Sequence, residues 1–388
     1  MCPFVVTRLS HVLFGGFGWL QSCLEFWENG IMSLVNSGSR RWGRTDLVVM
    51  AALAGLVLAG AGAQAAWGQV TGSDPFSLRL PAALGRFSPY ADVAGVGNAS
   101  AASRWASSAN PAAGGWLDWP AGRSVAMIPQ YSTIGFRQGP RLHVTSEAAT
   151  VDLGKWGRLQ PAFAQVWADE GKTRQDLDFD FNLSRYQMNW GKKVNDDWAL
   201  GAGFQFSRSQ AFYDMGPIDI SKSSSDAYGF TLGTLNRICG PLLGGAVVQY
   251  SFSRDRTTLF GIPQFDIPET QSSDTTHELT FRPGLSYEYA KDSMVLLDYQ
   301  FGTYFNHEGS IRVHRFFTGV DHRIFDWLFI RGGLAMDTRA HTGLTCGVGI
   351  YPCDAFTIDI GYQEDMFPEV RHEFGRSRTF TISLGITF

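Results

Sequence analysis

The stretch Thr379-Phe380-Thr381-Ile382-Ser383-Leu384-Gly385-Ile386-Thr387-Phe388 ends the chain and alternates polar with apolar residues throughout. Because successive side chains of a β-strand point to opposite faces, its aromatic and aliphatic residues share one face and its small polar residues share the other. This pattern is typical of the last strand of a transmembrane β-barrel, which has lipid outside and a polar lumen inside. The alternative is the last strand of a soluble antiparallel sandwich.

The composition fits both alternatives. The chain has 388 residues, of which 44% are hydrophobic, 14% aromatic and 18% charged, and it contains 44 glycines. In a barrel strand apolar residues that face lipid alternate with polar residues that face the lumen, so no long apolar run is needed. The net charge of −4 offers no basic patch, and we therefore expect no nucleic-acid partner.

The amino terminus has the layout of a targeting segment. Arg40, Arg41 and Arg44 precede an apolar stretch over 47–58, and the small-residue site Ala63-Gln64-Ala65 follows. This order predicts a secretory signal peptide, so we assign residues 1–65 to an amino-terminal extension and signal peptide. An uncleaved membrane anchor is the alternative, because the apolar stretch with its small-residue tail approaches the length of a membrane span.

The rest of the chain divides into two regions. Residues 66–120 are rich in Ala, Gly, Ser and Pro and show no strand pattern, whereas residues 121–388 form the predicted barrel. Fourteen strand-like segments separated by turn residues lie near 122–132, 142–153, 159–168, 178–191, 197–209, 225–237, 243–255, 276–289, 293–304, 311–323, 326–336, 342–351, 354–363 and 378–388. An even count suits a closed bacterial barrel. We therefore predict an all-β protein, an antiparallel transmembrane β-barrel of about 14 strands.

The alternation also predicts which side chains face the lumen. A charge that faces lipid at mid-bilayer costs about 2–4 kcal/mol for Arg or Lys, so charged residues within strands should point inward. The residues predicted to face the lumen are Asp298, Gln300, Arg331 and Asp359. Aromatic residues at strand ends are typical of membrane interfaces, and these are Trp198, Trp327, Tyr351 and Phe356.

The segment from Asp178 to Trp190 breaks its own alternation. Its apolar residues are odd-numbered up to Leu183 and even-numbered from Tyr186. A single inserted residue reverses the faces of a strand, so we predict a β-bulge at Ser184-Arg185 and, as a hypothesis, an opening in the wall there. A purely structural bulge and a misassigned strand are the alternatives.

Two short motifs lie in the Ala/Gly/Ser-rich region before the strands, Asn98-Ala99-Ser100 and Asn110-Pro111-Ala112. In this position they resemble the amino-terminal hatch of the FadL-type outer-membrane transporters of long-chain fatty acids and aromatic hydrocarbons. The matching hatch residues are Asn98, Ser100, Asn110, Pro111 and Ala112. The chain departs from the common form of the motif by having Ala113 before Gly114. A disordered linker is the alternative for this region.

The resemblance implies an outer-membrane protein of a Gram-negative-type bacterium, with residues 66–120 as a hatch inside the lumen. It implies passive uptake of hydrophobic small molecules, with outer-membrane lipid around the barrel. The terminal Phe388 resembles the signal that the barrel assembly machinery reads, so that machinery is an expected partner. Shuttle barrels of the type IX secretion pathway have a similar fold and hatch, and a structural or secretion-shuttle barrel is therefore the alternative function.

The sequence shows no pattern that predicts an enzyme. The histidines have no metal-ligand spacing, and Gly95-Val96-Gly97 lacks the third glycine of a dinucleotide fingerprint. A barrel lipid hydrolase needs a serine and a histidine on one outer face, and His307 and Ser310 offer those residue types. We keep that hydrolase as a further alternative and predict no catalytic residue, no metal and no cofactor.

Overall fold

The computed structural model describes residues 91–103, 108–117, 124–169, 171–173, 176–261, 268–307, 309–337, 341–367 and 370–388. All of them belong to one compact unit, Gln64–Phe388. The predicted extension and signal peptide over 1–65 lie outside the described residues, as do residues 66–90 of the predicted hatch. Among the described helices, none has the length and apolar character needed to cross a membrane.

Fourteen strands form a closed barrel. They are β1 Val125–Phe136, β2 Arg141–Asp152, β3 Arg158–Ala168, β4 Asp178–Asn195, β5 Trp198–Met215, β6 Ile218–Cys239, β7 Leu242–Leu259, β8 Thr270–Ala290, β9 Ser293–Asn306, β10 Gly309–Phe325, β11 Leu328–Asp337, β12 Thr342–Cys353, β13 Phe356–Glu364 and β14 Ser377–Thr387. Each strand pairs antiparallel with its neighbours in the chain, and β1 pairs with β14. The prediction of a 14-stranded antiparallel barrel is confirmed.

The last strand closes the wall as its alternation predicts. The Phe388 N–H donates to the Val125 carbonyl at 2.8 Å, and the Ser124 N–H donates to the Phe388 carbonyl at 3.0 Å. Thr379 and Thr381 are buried on the inner face of β14, whereas the intervening Phe380 is 45% exposed on the outer face. Polar and small residues therefore line the lumen side of β14, and from Phe380 to Ile386 aromatic and aliphatic residues cover its outside.

The two ends of the barrel are built differently. The end that holds Val125 and Phe388, here the terminal end, has tight turns in which Gly240 (φ 45°) and Asp292 (φ 55°) take left-handed backbone. The opposite end, here the distal end, carries the long connections between β3 and β4, β7 and β8, and β13 and β14. The last of these contains the short helix α3, Arg371–Phe374.

The outer face carries aromatic residues in cross-strand contact. Rings of five successive strands pack side by side with centroids 5.0 to 6.4 Å apart, and they are Phe163, Tyr186, Phe206, Tyr228 and Phe252. Trp198 and Trp327 are exposed at the terminal end, as predicted for interfacial residues. Tyr351 was predicted to join them and does not, because it lies on the inner phase of β12, where its hydroxyl donates to Asp359 at 3.1 Å. Apolar outer faces flanked by aromatic residues are typical of transmembrane barrels.

Candidate functional site

The described residues before β1, over 91–103 and 108–117, lie against the inner face of the wall, and we call them the inner segment. It contains two short helices, α1 Ala91–Gly95 and α2 Ala113–Trp116. Small side chains such as Ala94, Ala99 and Ala112 are fully buried there. The inner segment thus packs as closely as a protein core, although it consists mostly of Ala, Gly and Ser.

Glycines of the wall make this close packing possible. Nine strands each place one glycine against the inner segment, namely Gly191, Gly201, Gly233, Gly245, Gly284, Gly319, Gly333, Gly347 and Gly361, and we call this set the glycine belt. A Cβ atom at Gly245 would stand 1.9 Å from the Ala101 carbonyl oxygen, and one at Gly319 would stand 2.2 Å from the Val96 carbonyl oxygen. Any side chain at these positions would push the inner segment away from the wall.

Strand β9 contributes an acidic residue instead of a belt glycine. Asp298 lies directly opposite Gly284 and is fully buried. Its carboxylate accepts the backbone N–H groups of Ser100 at 2.7 Å and Ala101 at 2.8 Å. It also accepts a hydrogen bond from the Arg282 side chain at 2.9 Å. Together, Asp298 and Arg282 clamp the inner segment to β8 and β9.

The Asn-Pro-Ala motif lies against the inner face of β5 and β6. The Asn110 amide donates to the carbonyls of Ala101 at 2.6 Å and Thr234 at 3.0 Å, and its oxygen accepts the Ala112 N–H at 3.0 Å. Asn110 is fully buried, so all three contacts form away from water. Its short polar side chain therefore ties two stretches of the inner segment to β6, and Pro111 packs on the belt glycine Gly201.

The first motif is held in a similar way. Asn98 has left-handed backbone (φ 61°), and its side-chain oxygen accepts a hydrogen bond from Gln363 at 3.2 Å. The Ser100 hydroxyl donates to the Asn98 carbonyl at 3.2 Å, and Arg282 donates to the same carbonyl. The structure thus brings the five predicted hatch residues together in the inner segment, while their role as a moving hatch stays a prediction.

The four predicted lumen residues lie on the inner face and are at most 9% exposed. Two of them, Arg331 and Asp359, form one buried ion cluster in which Arg331 donates to Asp359 at 2.5 Å and to Asp321 at 3.2 Å. Arg331 lies beneath α1, since a Cβ at Gly95 would stand 3.2 Å from it. Asp321 and Arg282 were not predicted, although both lie on the inward phase of their strands.

The distal end of the lumen is apolar. Twelve buried residues pack together there, namely Ile134, Phe136, Leu142, Val144, Val166, Phe179, Phe181, Leu183, Ala211, Phe367, Val370 and Phe374, and we call them the distal apolar cluster. Nine of them come from β1 to β5 and three from the connection between β13 and β14. An apolar interior at the mouth of a barrel is a favourable environment for an apolar ligand.

The described residues of that connection, 365–367 and 370–376, form what we call the capping loop. The Phe374 ring lies 5.2 Å from the rings of Phe136 and Phe179 and is fully buried. An ion pair of 3.1 Å joins Arg371 to Asp365 at the base of the loop. Burial raises the pKa of the Asp365 carboxyl, and the charge of Arg371 opposes that rise. The capping loop therefore covers the distal apolar cluster and contributes to it.

The predicted β-bulge at Ser184 and Arg185 is wrong. Strand β4 pairs without interruption with both β3 and β5 through these residues. Its odd-numbered residues face inward along the strand, so those from Phe179 to Leu183 join the distal apolar cluster and Arg185 is buried in the lumen. The apolar residues change from odd to even numbers because the lumen is apolar at its distal end and polar toward the terminal end. The outer face of β4 is apolar at Tyr186 and polar nearer the distal end, from Ser184 to Asp178. The predicted wall opening loses its basis.

The described residues contain little that resembles a catalytic or metal site. The His307 imidazole donates a hydrogen bond to the Asp274 carboxylate at 2.8 Å. Ser310 lies opposite Phe305 in the pairing of β10 with β9. The same residues contain no group of His, Cys, Asp or Glu side chains that could hold a metal ion.

Comparison with known proteins gives a fold. No protein-family model and no curated protein matches this chain. The CymD monoaromatic hydrocarbon channel matches with a TM-score of 0.52 and 11% identity, over 77% of this chain and 99% of its own. The Ralstonia pickettii toluene transporter TbuX matches with a TM-score of 0.51 and 12% identity, over 78% and 97%.

A third solved structure agrees with these two. It is a Pseudomonas aeruginosa FadL homologue, which matches with a TM-score of 0.50 and 14% identity over 77% of this chain and 97% of its own. Identities this low carry the architecture and not the substrate. The chain therefore has the barrel fold of the FadL-type transporters.

Proposed function

We propose that this protein is a passive outer-membrane transporter for hydrophobic compounds. One observation carries the proposal: the lumen has an apolar site at its distal end and a packed inner segment toward its terminal end. A simple water-filled pore would need neither feature. The fold neighbours named as channels or transporters of toluene and monoaromatic hydrocarbons support this class of cargo.

The transport path begins at the distal end. A hydrophobic molecule displaces the capping loop and packs among the wall residues of the distal apolar cluster, such as Phe136 and Phe179. Transfer of its apolar surface out of water drives this step, so no energy source is needed. It then leaves when the inner segment shifts from the glycine belt. The inner segment is thus the gate, and this proposal accounts for its clamps at Asp298 and Asn110.

Locking the inner segment with a disulfide tests the gate. The Cβ of Ala94 lies 3.2 Å from the place of a Cβ at Gly361, so a small shift brings Ala94→Cys and Gly361→Cys to the usual Cβ separation of about 3.8 Å. The exposed cysteines Cys239, Cys346 and Cys353 are first replaced by serine. We expect the oxidised double variant to take up a hydrophobic fluorescent tracer into vesicles at least about tenfold more slowly than the reduced form.

Both single-cysteine variants, oxidised in the same way, serve as controls, and oxidation should leave the uptake of each unchanged. Equal uptake by the oxidised and reduced double variants would contradict gating by the inner segment. Deleting residues 91–117 separates the alternatives. A plugged transporter becomes permeable to small polar solutes, a secretion shuttle loses a protein partner while staying tight, and a lipid hydrolase keeps its turnover.

Phe388 provides a separate test of outer-membrane assembly. Its side chain is 62% exposed, so it contributes little buried packing. We expect Phe388→Asp to reduce the assembled fraction in cell envelopes severely, because the aromatic terminal residue is the proposed assembly signal, whereas Phe388→Tyr should assemble normally. Heat-modifiable gel mobility measures the assembled fraction. Refolding of purified Phe388→Asp in detergent should equal wild type, and normal assembly of this variant in cells would count against the proposal.

A further inference from the structure

At the distal edge of the outer face, arginines lie next to outward-facing aromatic residues. On five strands an aromatic ring or histidine is followed, two residues toward the distal end, by an arginine. The pairs are His143 and Arg141 on β2, Phe206 and Arg208 on β5, Phe252 and Arg254 on β7, His314 and Arg312 on β10, and Phe380 and Arg378 on β14. Residues two apart in a strand share a face, so each arginine continues the outer face beyond its ring.

The outward direction of these arginines follows from the glycine belt. On β5, β7 and β10 the belt glycines Gly201, Gly245 and Gly319 face the inner segment. Arg208, Arg254 and Arg312 lie an odd number of residues away from them, on the opposite face. On β2 and β14 the alternating buried residues, such as Leu142 and Thr379, mark the inner face in the same way.

Most of these arginines form no ion pair within the part of the chain that the structure describes. All five are exposed, as is Arg256, the next outward residue of β7. Arg208 pairs with Asp226 at 2.7 Å, and Arg378 lies 3.8 Å from Glu364. The other four, Arg141, Arg254, Arg256 and Arg312, form no ion pair with any described residue.

The terminal end is arranged differently. Three of its cationic side chains pair with aspartates of the turns, namely Lys193 with Asp196 at 3.3 Å, Arg237 with Asp197 at 3.9 Å and Arg323 with Asp326 at 2.8 Å, whereas Lys155 and Lys291 form no ion pair with any described residue. At the terminal end Arg237 and Arg323 are thus paired, whereas the four arginines without an ion pair lie at the distal edge. Their guanidinium groups face the surroundings of the barrel just beyond the aromatic residues.

In a bilayer, aromatic residues mark the boundary of the hydrocarbon core, so the next outward position lies among the lipid headgroups. A guanidinium group matches a phosphate group in charge and in hydrogen-bond geometry. Strand β7 offers two such groups in succession. Arg254 lies between Thr275 and Asp226, whose carboxylate pairs with Arg208, and Arg256 lies between Ser224 and Ser273, which add hydroxyl donors.

We propose that the distal edge of the outer face binds the phosphate groups of an anionic lipid, with Arg254 and Arg256 at the centre of the site. The proposal rests on the membrane location proposed above. It also gives the barrel an orientation, because the distal end must lie in the leaflet whose lipids carry exposed phosphate. Lipid, and not free phosphate, is the ligand, since the arginines directly adjoin the apolar outer face.

The test uses the full chain, reconstituted into phosphatidylcholine vesicles with or without phosphatidic acid as the probe. After solubilisation, the phosphatidic acid retained by the purified protein is measured. Wild type should retain it, and Arg254→Gln with Arg256→Gln should retain about tenfold less at low salt. The matched control, Lys155→Gln with Lys291→Gln, changes two exposed lysines of the terminal end and should behave as wild type. Salt should weaken retention by the wild type.

The outcomes separate this site from the transporter. Equal retention by wild type and the arginine variant, with both inserted and active in tracer uptake, would overturn the lipid site and leave the transport proposal intact. Displacement of the retained lipid by millimolar inorganic phosphate would show a free-phosphate site and overturn the lipid assignment. Failure of wild type to insert into either kind of vesicle would overturn both proposals.

Discussion

Replacing Asp298 by alanine is expected to release the inner segment and make the closed barrel leaky. The buried carboxylate of Asp298 accepts two backbone N–H groups of the inner segment and pairs with Arg282. Without it, the Arg282 guanidinium loses its counter-ion and two buried N–H groups lose their acceptor, and breaking a buried ion pair in this way costs about 3–5 kcal/mol. Ion conductance across planar bilayers should rise by at least about tenfold as the lumen opens.

Two variants calibrate this result. Asp298→Asn keeps the size and one acceptor but removes the charge, so it should leak to an intermediate extent. Asp226→Ala removes the partner of the exposed Arg208 on the outer face and should change neither conductance nor stability measurably. A tight barrel in Asp298→Ala, with conductance equal to that of Asp226→Ala, would show that the inner segment is held by other contacts.

Replacing Phe374 by alanine is expected to strengthen the binding of hydrophobic ligands. In the closed barrel this fully buried ring occupies the distal apolar cluster between Phe136 and Phe179. Removing a buried phenyl ring weakens the capping loop by about 3–5 kcal/mol. Because a ligand binds only when the loop is displaced, the apparent affinity rises with the open fraction, and we expect a gain of at least about tenfold. Titration of the purified protein with a fluorescent tracer measures it.

Phe181→Ala is the matched comparison. Phe181 belongs to the wall part of the distal apolar cluster, with its ring 6.0 Å from that of Phe179. Without the Phe181 ring the ligand has fewer apolar contacts in its site, so the affinity for the tracer should fall. Phe374→Ala should have the opposite effect. If both variants bind the tracer more weakly, the capping loop is a permanent wall of the site and not a competitor for it.

Much of the architecture could be predicted because a barrel strand can be recognised from the alternation of its own residues. The alternation over 379–388 predicts both faces of β14, and the same rule assigns Asp298, Arg331 and Asp359 to the lumen side. All fourteen predicted strands have a counterpart in the structure. Their lengths were underestimated at the distal end, since β6 begins at Ile218, where the outer face is polar and the lipid-facing signal is lost.

The rule failed where the environment of the two faces changes along one strand. At Ser184 the apolar residues move to the other face because the lumen itself is apolar at the distal end. The prediction assumed lipid outside and water inside along the whole strand, and it therefore placed a bulge there. The glycine belt was missed for another reason. Each belt glycine is an isolated small residue in its own strand, and only the register between strands shows that they surround one segment.

The inner segment also constrains the order in which the molecule can form. It precedes β1 in the chain, yet Ala102 and Ala94 bond to residues 184 and 269 positions later. Contacts between such distant parts of a chain form late, because long loops must close first. We therefore expect the inner segment to reach its final place only after β13 has paired, because one of its hydrogen bonds comes from Gln363 of that strand.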